Sequence, residues 1–426
     1  MSEQTFEDME QAVQQPQAER RGRRRKRAIF PALELDFDVP LLLAVLALLL
    51  FGMLMVYSAS WDFSLVNYEN PTQMFFQQIR NLAIGLVAAA ACVFIHYHFW
   101  RKYSVVMMGA MLLAMVAVLV YGEVRYGSAR ALFGGSYMPG ELAKLVTIIY
   151  LSVWLYAKRA DLKKVGYGLI PLVMIVGLMA GLIFMQPDIS AAISIVFMGG
   201  LLFFLAGGSV LQIAAMVGGG AALGGVLLQF SLTARTRVTD YLAGLANPTE
   251  ANDHVLRSFE AFVKGGWFGM GLGQSETKLT GLPVPPTDSI FAVIGEELGL
   301  IGVCFVILLY ALILWRGIVI ARRAPDMFGS LLAAGITLWI VMEALINMAV
   351  MVGLLPFAGN ALPLISFGGS NLVTTLAALG ILMSISRASR AQKQEEERIM
   401  DATARGRWSE RGWSLSRARR ASRVGR

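Results

Sequence analysis

Cysteine is almost absent: the 426 residues hold two, Cys92 and Cys304, and both fall in apolar runs. They offer neither a disulfide framework nor a thiolate metal site, and read as small helix-packing residues. No small-residue cleavage site closes the first apolar run, so the first helix is expected to be a retained anchor and not a removed signal peptide. GMGLG at 269–273 has no G-K-[ST] after it, which makes it a turn and not a phosphate loop. No internal repeat is strong enough to point to an inverted-repeat transporter.

Apolar residues, by contrast, are abundant. They make up 56% of the chain, against roughly 45 to 50% in an ordinary soluble domain. About ten runs reach the roughly 20 residues needed to cross a bilayer as helices, starting near Leu41, Leu82, Val105, Leu142, Leu169, Ala191, Val210, Ile290, Leu331 and Val373. The expected fold class is an all-α polytopic membrane protein of about ten transmembrane helices. Its parts are a basic N-terminal arm (1–38), a membrane domain (39–390) and a polar, basic tail (391–426).

The net charge of +8 is distributed in a telling way. Basic clusters fall at 20–27, 101–102, 158–164, 316–323 and from Arg387 onward. With ten helices these segments share one side, which the positive-inside rule makes cytoplasmic, both termini included. The basic tails then read as topology signals and contacts for anionic membrane lipids, not as a nucleic-acid surface.

The outer side receives the segments near 58–80, 122–140, 186–189, 231–289 and 354–369. The fourth is the longest and carries most of the outward charge, including Arg235, Arg237, Asp240, His254, Arg257, Lys278 and Asp288. Long loops without obvious structure are usually functional.

Four polar constellations mark helix ends on that side. In SYMPGELAK (136–144), Glu141 and Lys144 are three residues apart and share a helical face; a structural pair and a binding role are equally open. In MQPDIS (185–190), Asp188 follows a proline break and fits an N-cap. ALPLISFGGSN (361–371) is an uncharged polar loop, tolerable at membrane depth only where it is buried or lines a wet cavity. In GLPVPPTDSIF (281–291), three prolines deliver Thr287 and Asp288 stiffly to a helix mouth. Asp288 is either the cap of that helix or a general base in a partly desolvated cavity.

Taken together, MVYSAS (55–60), PGELAK (139–144), QPD (186–188), RVTDYLAGLANP (237–248), the run 265–302 and the run 347–371 resemble the SEDS family, the FtsW/RodA/SpoVE-like proteins. The resemblance spans roughly 38–390. It implies a ten-helix peptidoglycan glycosyltransferase of the bacterial cytoplasmic membrane that polymerises lipid II at the outer face for division or elongation. A class B penicillin-binding transpeptidase is the implied partner, alongside the division or elongation machinery. It assigns catalysis to Asp288 and carries the family's motif positions to Glu141, Lys144, Asp188, Lys278, Ser366, Gly368, Gly369 and Ser370.

Several neutral motif positions depart from the family pattern. An aromatic residue after Arg130 is replaced by Ala131, H-T-D-F reads Pro286, Thr287, Asp288, Ser289, and two upstream glutamines become His254 and Arg257. A developing pyrophosphate charge calls for cations: Arg130, Lys144, Arg235, Arg237 and Lys278 are the candidates, with Thr287, Ser366 and Ser370 lining the site. No cofactor is required by the sequence, and Mg²⁺ or another divalent cation could assist these cations. The competing expectations are a lipid II flippase, with Glu141, Lys144 and Asp188 as pathway charges, and a catalytically weak scaffold for the transpeptidase.

Overall fold

The computed structural model describes residues 37–421 apart from 122, 126–127, 132–137 and 231. Twelve α-helices make up most of it: α1 (Val39–Tyr68), α2 (Gln73–Phe94), α3 (His98–Tyr121), α4 (Pro139–Lys158), α5 (Ile170–Met185), α6 (Ile189–Leu205), α7 (Val210–Phe230), α8 (Leu232–Ala246), α9 (Asp253–Gly265), α10 (Ile290–Arg323), α11 (Met327–Met351) and α12 (Gly369–Ala421). A short antiparallel ribbon, β1 (Glu123–Arg125) and β2 (Ser128–Ala131), follows α3.

Among the described residues, eight spans are long and apolar enough to cross a membrane, namely α1 to α5, α10, α11 and the first part of α12, with α6 and the start of α7 as shorter apolar helices. The burial pattern is that of a protein in lipid. Leu50, Val87 and Leu113 are more than two-thirds exposed, whereas Lys144, Glu296, Glu297 and Glu343 are at most 4% exposed. Apolar side chains can face hydrocarbon, while ionisable ones must turn inward and find partners.

Small residues set the closest helix approaches. Gly85 of α2 faces Val373 and Leu376 of α12, and Gly380 of α12 faces Ala89 and Cys92 of α2. Cys92 thus packs as expected, while Cys304 is exposed on the outside of the bundle.

The end that carries the basic clusters is clamped by polar contacts. Asp38 caps α1 through the Leu41 amide (3.1 Å) and pairs with Arg316 of α10 at 2.5 and 3.0 Å. His98 reaches Asp326 at 3.0 Å, and Arg387 donates to the Val93 carbonyl. Among the described residues, segments expected outside meet one another: Gln78 donates to the Ser366 carbonyl and Lys278 to the Ser58 carbonyl.

One expectation needs adjustment. The 231–289 segment is not a bare loop, since it contains α8, α9 and a 3₁₀ turn at Pro248–Glu250. The sign of α9 is present in the text, as buried Val255, Ser258, Ala261 and Gly265 recur at helical spacing. Beyond residue 390, α12 continues unbroken to Ala421, 53 residues in all.

Candidate active site

The mouth of α10 is built from prolines. Pro283, Pro285 and Pro286 supply no amide, and Val284 between them is held at φ 46°, a left-handed conformation that costs a β-branched residue on the order of 1–3 kcal/mol. Ser289, not Asp288, is the N-cap residue of α10. The capping reading of Asp288 is therefore not what this helix uses.

Three consecutive carbonyls of this turn are held by other elements. The Phe367 amide donates to Pro286 O at 2.8 Å, Ser366 Oγ donates to Thr287 O at 2.7 Å, and Asn347 Nδ2 donates to Asp288 O at 2.8 Å. Each holding group is itself fixed. Ser366 Oγ accepts from the Leu362 amide at 2.7 Å, the Ser366 carbonyl accepts from Gln78 of α2 at 3.2 Å, and Asn347 also donates to Asn360 O at 2.5 Å. The uncharged loop after α11 thus works as a mould for the backbone around Asp288, which is how a site is preorganised. The Asp288 carboxylate faces Gly359, where an added Cβ would stand 3.4 Å from Oδ2 and 3.8 Å from the Phe357 ring.

Phe357 carries two further groups. The His254 imidazole stacks on it with ring centroids 3.9 Å apart, and the Arg237 guanidinium lies 5.6 Å from its centroid. Ser289 Oγ donates to Pro283 O at 2.8 Å, so its 3.0 Å contact with His254 Nδ1 requires the proton on Nδ1. Burial pushes the His254 pKa down to about 4, with Arg237 adding to the shift and Asp253 opposing it. His254 is neutral at physiological pH. Arg237 also lines a cavity of about 180 Å³ with Asp240, Tyr241, Asn252, Phe259 and Phe357.

A second polar cluster lies at the start of α4. Lys144 pairs with Glu141 at 2.8 Å and with Glu343 of α11, Asn371 of α12 donates to Glu141 at 2.8 Å, and the Met138 amide donates to Ser370 Oγ at 2.8 Å. The i, i+3 pair is present, and its third member, Glu343, escaped the sequence reading. Its signal was a lone carboxylate inside the apolar run WIVMEALINM.

The other candidates take separate places. Asp188 caps α6, accepting from the Ala191 amide at 3.2 Å and from Ser190 Oγ at 3.1 Å. Arg235 is exposed on α8. Arg130 sits on β2, and its side chain lies outside the described residues. The Lys278 side chain is 5% exposed and pairs with Glu297 at 3.1 Å. Among the described residues no group of three or more His, Cys, Asp or Glu is placed to hold a metal.

Comparison with known proteins agrees with this architecture. Residues 39–391 match the FtsW/RodA/SpoVE family, described as cell cycle proteins. The chain is 35% identical over 360 residues to the probable peptidoglycan glycosyltransferase FtsW of Geobacter sp. (strain M18), covering 83% of this chain and 98% of that one. It is 36% identical over 360 residues to the stage V sporulation protein E of Bacillus subtilis (strain 168), with the same coverages. Among solved structures, the rod shape determining protein RodA of Thermus thermophilus superposes with a TM-score of 0.62 at 25% identity, covering 83% of this chain and 97% of that one. A chain of a peptidoglycan synthase complex that coordinates polymerisation and crosslinking gives 0.68 at 25% identity, covering 83% and 99%. With a match over most of its length and relatives well above 30% identity, the chain belongs to the FtsW/RodA/SpoVE family.

Proposed function

We propose that this protein is a peptidoglycan glycosyltransferase that joins lipid-linked disaccharide pyrophosphates into glycan strands, with Asp288 as general base. The observation that carries the reading is the clamp on carbonyls 286, 287 and 288. It fixes the backbone on either side of a carboxylate that does not serve as the helix cap.

In the reaction, a sugar hydroxyl of one substrate attacks the anomeric carbon of the other. The new glycosidic C–O bond forms as the bond to the polyprenyl pyrophosphate breaks, and Asp288 takes the hydroxyl proton. General-base catalysis of this kind contributes typically about 10²- to 10⁴-fold. Conversion of an α-linked donor to a β-linked strand is an inversion, for which one base suffices without a covalent intermediate. The pyrophosphate leaves with negative charge that cations stabilise. Arg237, on the Phe357 patch beside Asp288, is suited to this role, with exposed Arg235 two residues away on α8.

The site faces away from the basic end of the bundle. By the positive-inside rule it is extracytoplasmic, where a class B penicillin-binding transpeptidase would crosslink the emerging strand. Purified protein given lipid II, with and without that partner, should make polymer, and a normally folded Asp288→Asn variant should make none. Absence of polymer from the wild type with its partner present would favour a flippase or a scaffold.

A further inference from the structure

Lys278 looks from sequence like a cation for the pyrophosphate, but its surroundings assign it another task. Its ammonium has three N–H donors. Three acceptors meet them: Gly273 O at 3.0 Å, Glu297 Oε1 at 3.1 Å and Ser58 O at 3.2 Å. With the side chain 5% exposed, no donor is left over for a phosphate oxygen.

The need for this lysine originates in α10. Gly299, at φ 64° inside the helix, breaks the regular ladder there. The amides of Leu300 and Ile301 turn instead to the carbonyls of Gly266 (2.9 Å) and Trp267 (3.3 Å). The carbonyls of Glu296 and Glu297 accept from the amides of Met270 (2.9 Å) and Gly271 (3.0 Å). A Cβ at Gly299 would run into Trp267 and the Gly269 amide. The outer loop is therefore docked backbone to backbone against the kink.

Both glutamates at the kink are fully buried and belong to this docking. Glu296 accepts from the hydroxyls of Ser275 and Thr277 and from the amides of Glu276 (3.1 Å) and Thr277 (3.2 Å). It is satisfied without a cation. Glu297 accepts from Ser58 Oγ at 2.6 and 2.7 Å and needs Lys278 to balance its charge. From Lys278 the chain makes one tight turn, closed by Leu282 N to Thr277 O at 3.0 Å, and enters the proline segment that ends at Asp288.

We infer that Lys278 is a positioning residue: it neutralises Glu297, holds the 269–289 loop on the α10 kink, and makes no contact with substrate. This deepens the glycosyltransferase reading and rests on it. The two roles separate through charge balance. Losing one partner of a buried pair strands the other charge, whereas neutralising both is far better tolerated.

The experiment compares Lys278→Met, Glu297→Gln and the double variant, with lipid II polymerisation and hydrogen exchange of 269–289 as readouts. Lys278→Met should lose on the order of 10²-fold in rate, as a displaced catalytic group does, with faster exchange across the loop. The double variant should recover to within about tenfold of the wild type, in line with the tolerance of neutralised pairs. Recovery without a cation at 278 excludes a phosphate contact there. A double variant whose loop exchanges like the wild type yet remains as inactive as Lys278→Met overturns the inference. If Lys278→Met does not fold, the double variant alone decides by the same two results. If even the wild type makes no polymer, the functional reading fails and exchange alone judges the latch: unchanged protection in Lys278→Met refutes it.

Discussion

Asn347 offers the sharpest test of how the site is held. Its amide nitrogen donates to Asp288 O at 2.8 Å and to Asn360 O at 2.5 Å, and the side chain is 2% exposed. Asn347→Ala removes both donors at once. Each carbonyl left without a partner costs about 1–3 kcal/mol. Part of that returns because the surroundings of Asp288 are only half-buried and water can reach them. A net destabilisation of about 2–3 kcal/mol follows. The effect on rate should exceed what stability alone gives, because Asp288 loses one of three clamps on its backbone, and displacement by about 1 Å costs on the order of 10²-fold. The assay is lipid II polymerisation at saturating substrate, together with thermal unfolding in the same detergent. The expected result is a large fall in kcat with little change in KM. Asn347→Asp, which sets a carboxylate against two carbonyl oxygens, should be worse than Asn347→Ala. Wild-type kcat in a folded Asn347→Ala variant would refute the clamp.

Three further outcomes follow from the same geometry. His254 is held neutral, with its pKa down to about 4 from the ordinary 6.5, so the unfolded chain takes up a proton first as pH falls. Its contribution to stability is therefore full above about pH 6.5 and is lost as pH drops toward 4; His254→Gln should flatten that part of a stability titration. Lys144→Met leaves Glu343 buried without its cation and should cost about 3–5 kcal/mol, whereas adding Glu343→Leu should restore much of the unfolding temperature. Gly359 adopts φ 53° next to the Asp288 carboxylate, so Gly359→Ala should cost about 1–2 kcal/mol in backbone strain and lower the polymerisation rate while leaving the level of membrane-inserted protein unchanged.

The sequence by itself determined the class of molecule and singled out a candidate address for its chemistry. Long apolar runs can exist only as spanning helices, because lipid offers no partner for backbone amides and carbonyls. The one-sided spread of Lys and Arg set their expected orientation, and the proline-rich turn singled out Asp288 as a carboxylate at a helix mouth. The pairing of Glu141 with Lys144 was legible for the same local reason, a spacing of three on one helical face.

What only the tertiary structure decided is which groups face each other across long stretches of chain. Glu343 joins Lys144 across 199 positions, Ser58 joins Glu297 across 239, and Ser366 reaches Thr287 across 79. No periodicity encodes such contacts, since they depend on how helices pack. The packing also separates the cations that sequence lists as equals. Lys144 is held by Glu343 and Lys278 by Glu297, and Arg237 lies over the Phe357 ring. The reason is physical: a charge taken out of water must be matched by a nearby partner, and where that partner sits is a property of the folded chain.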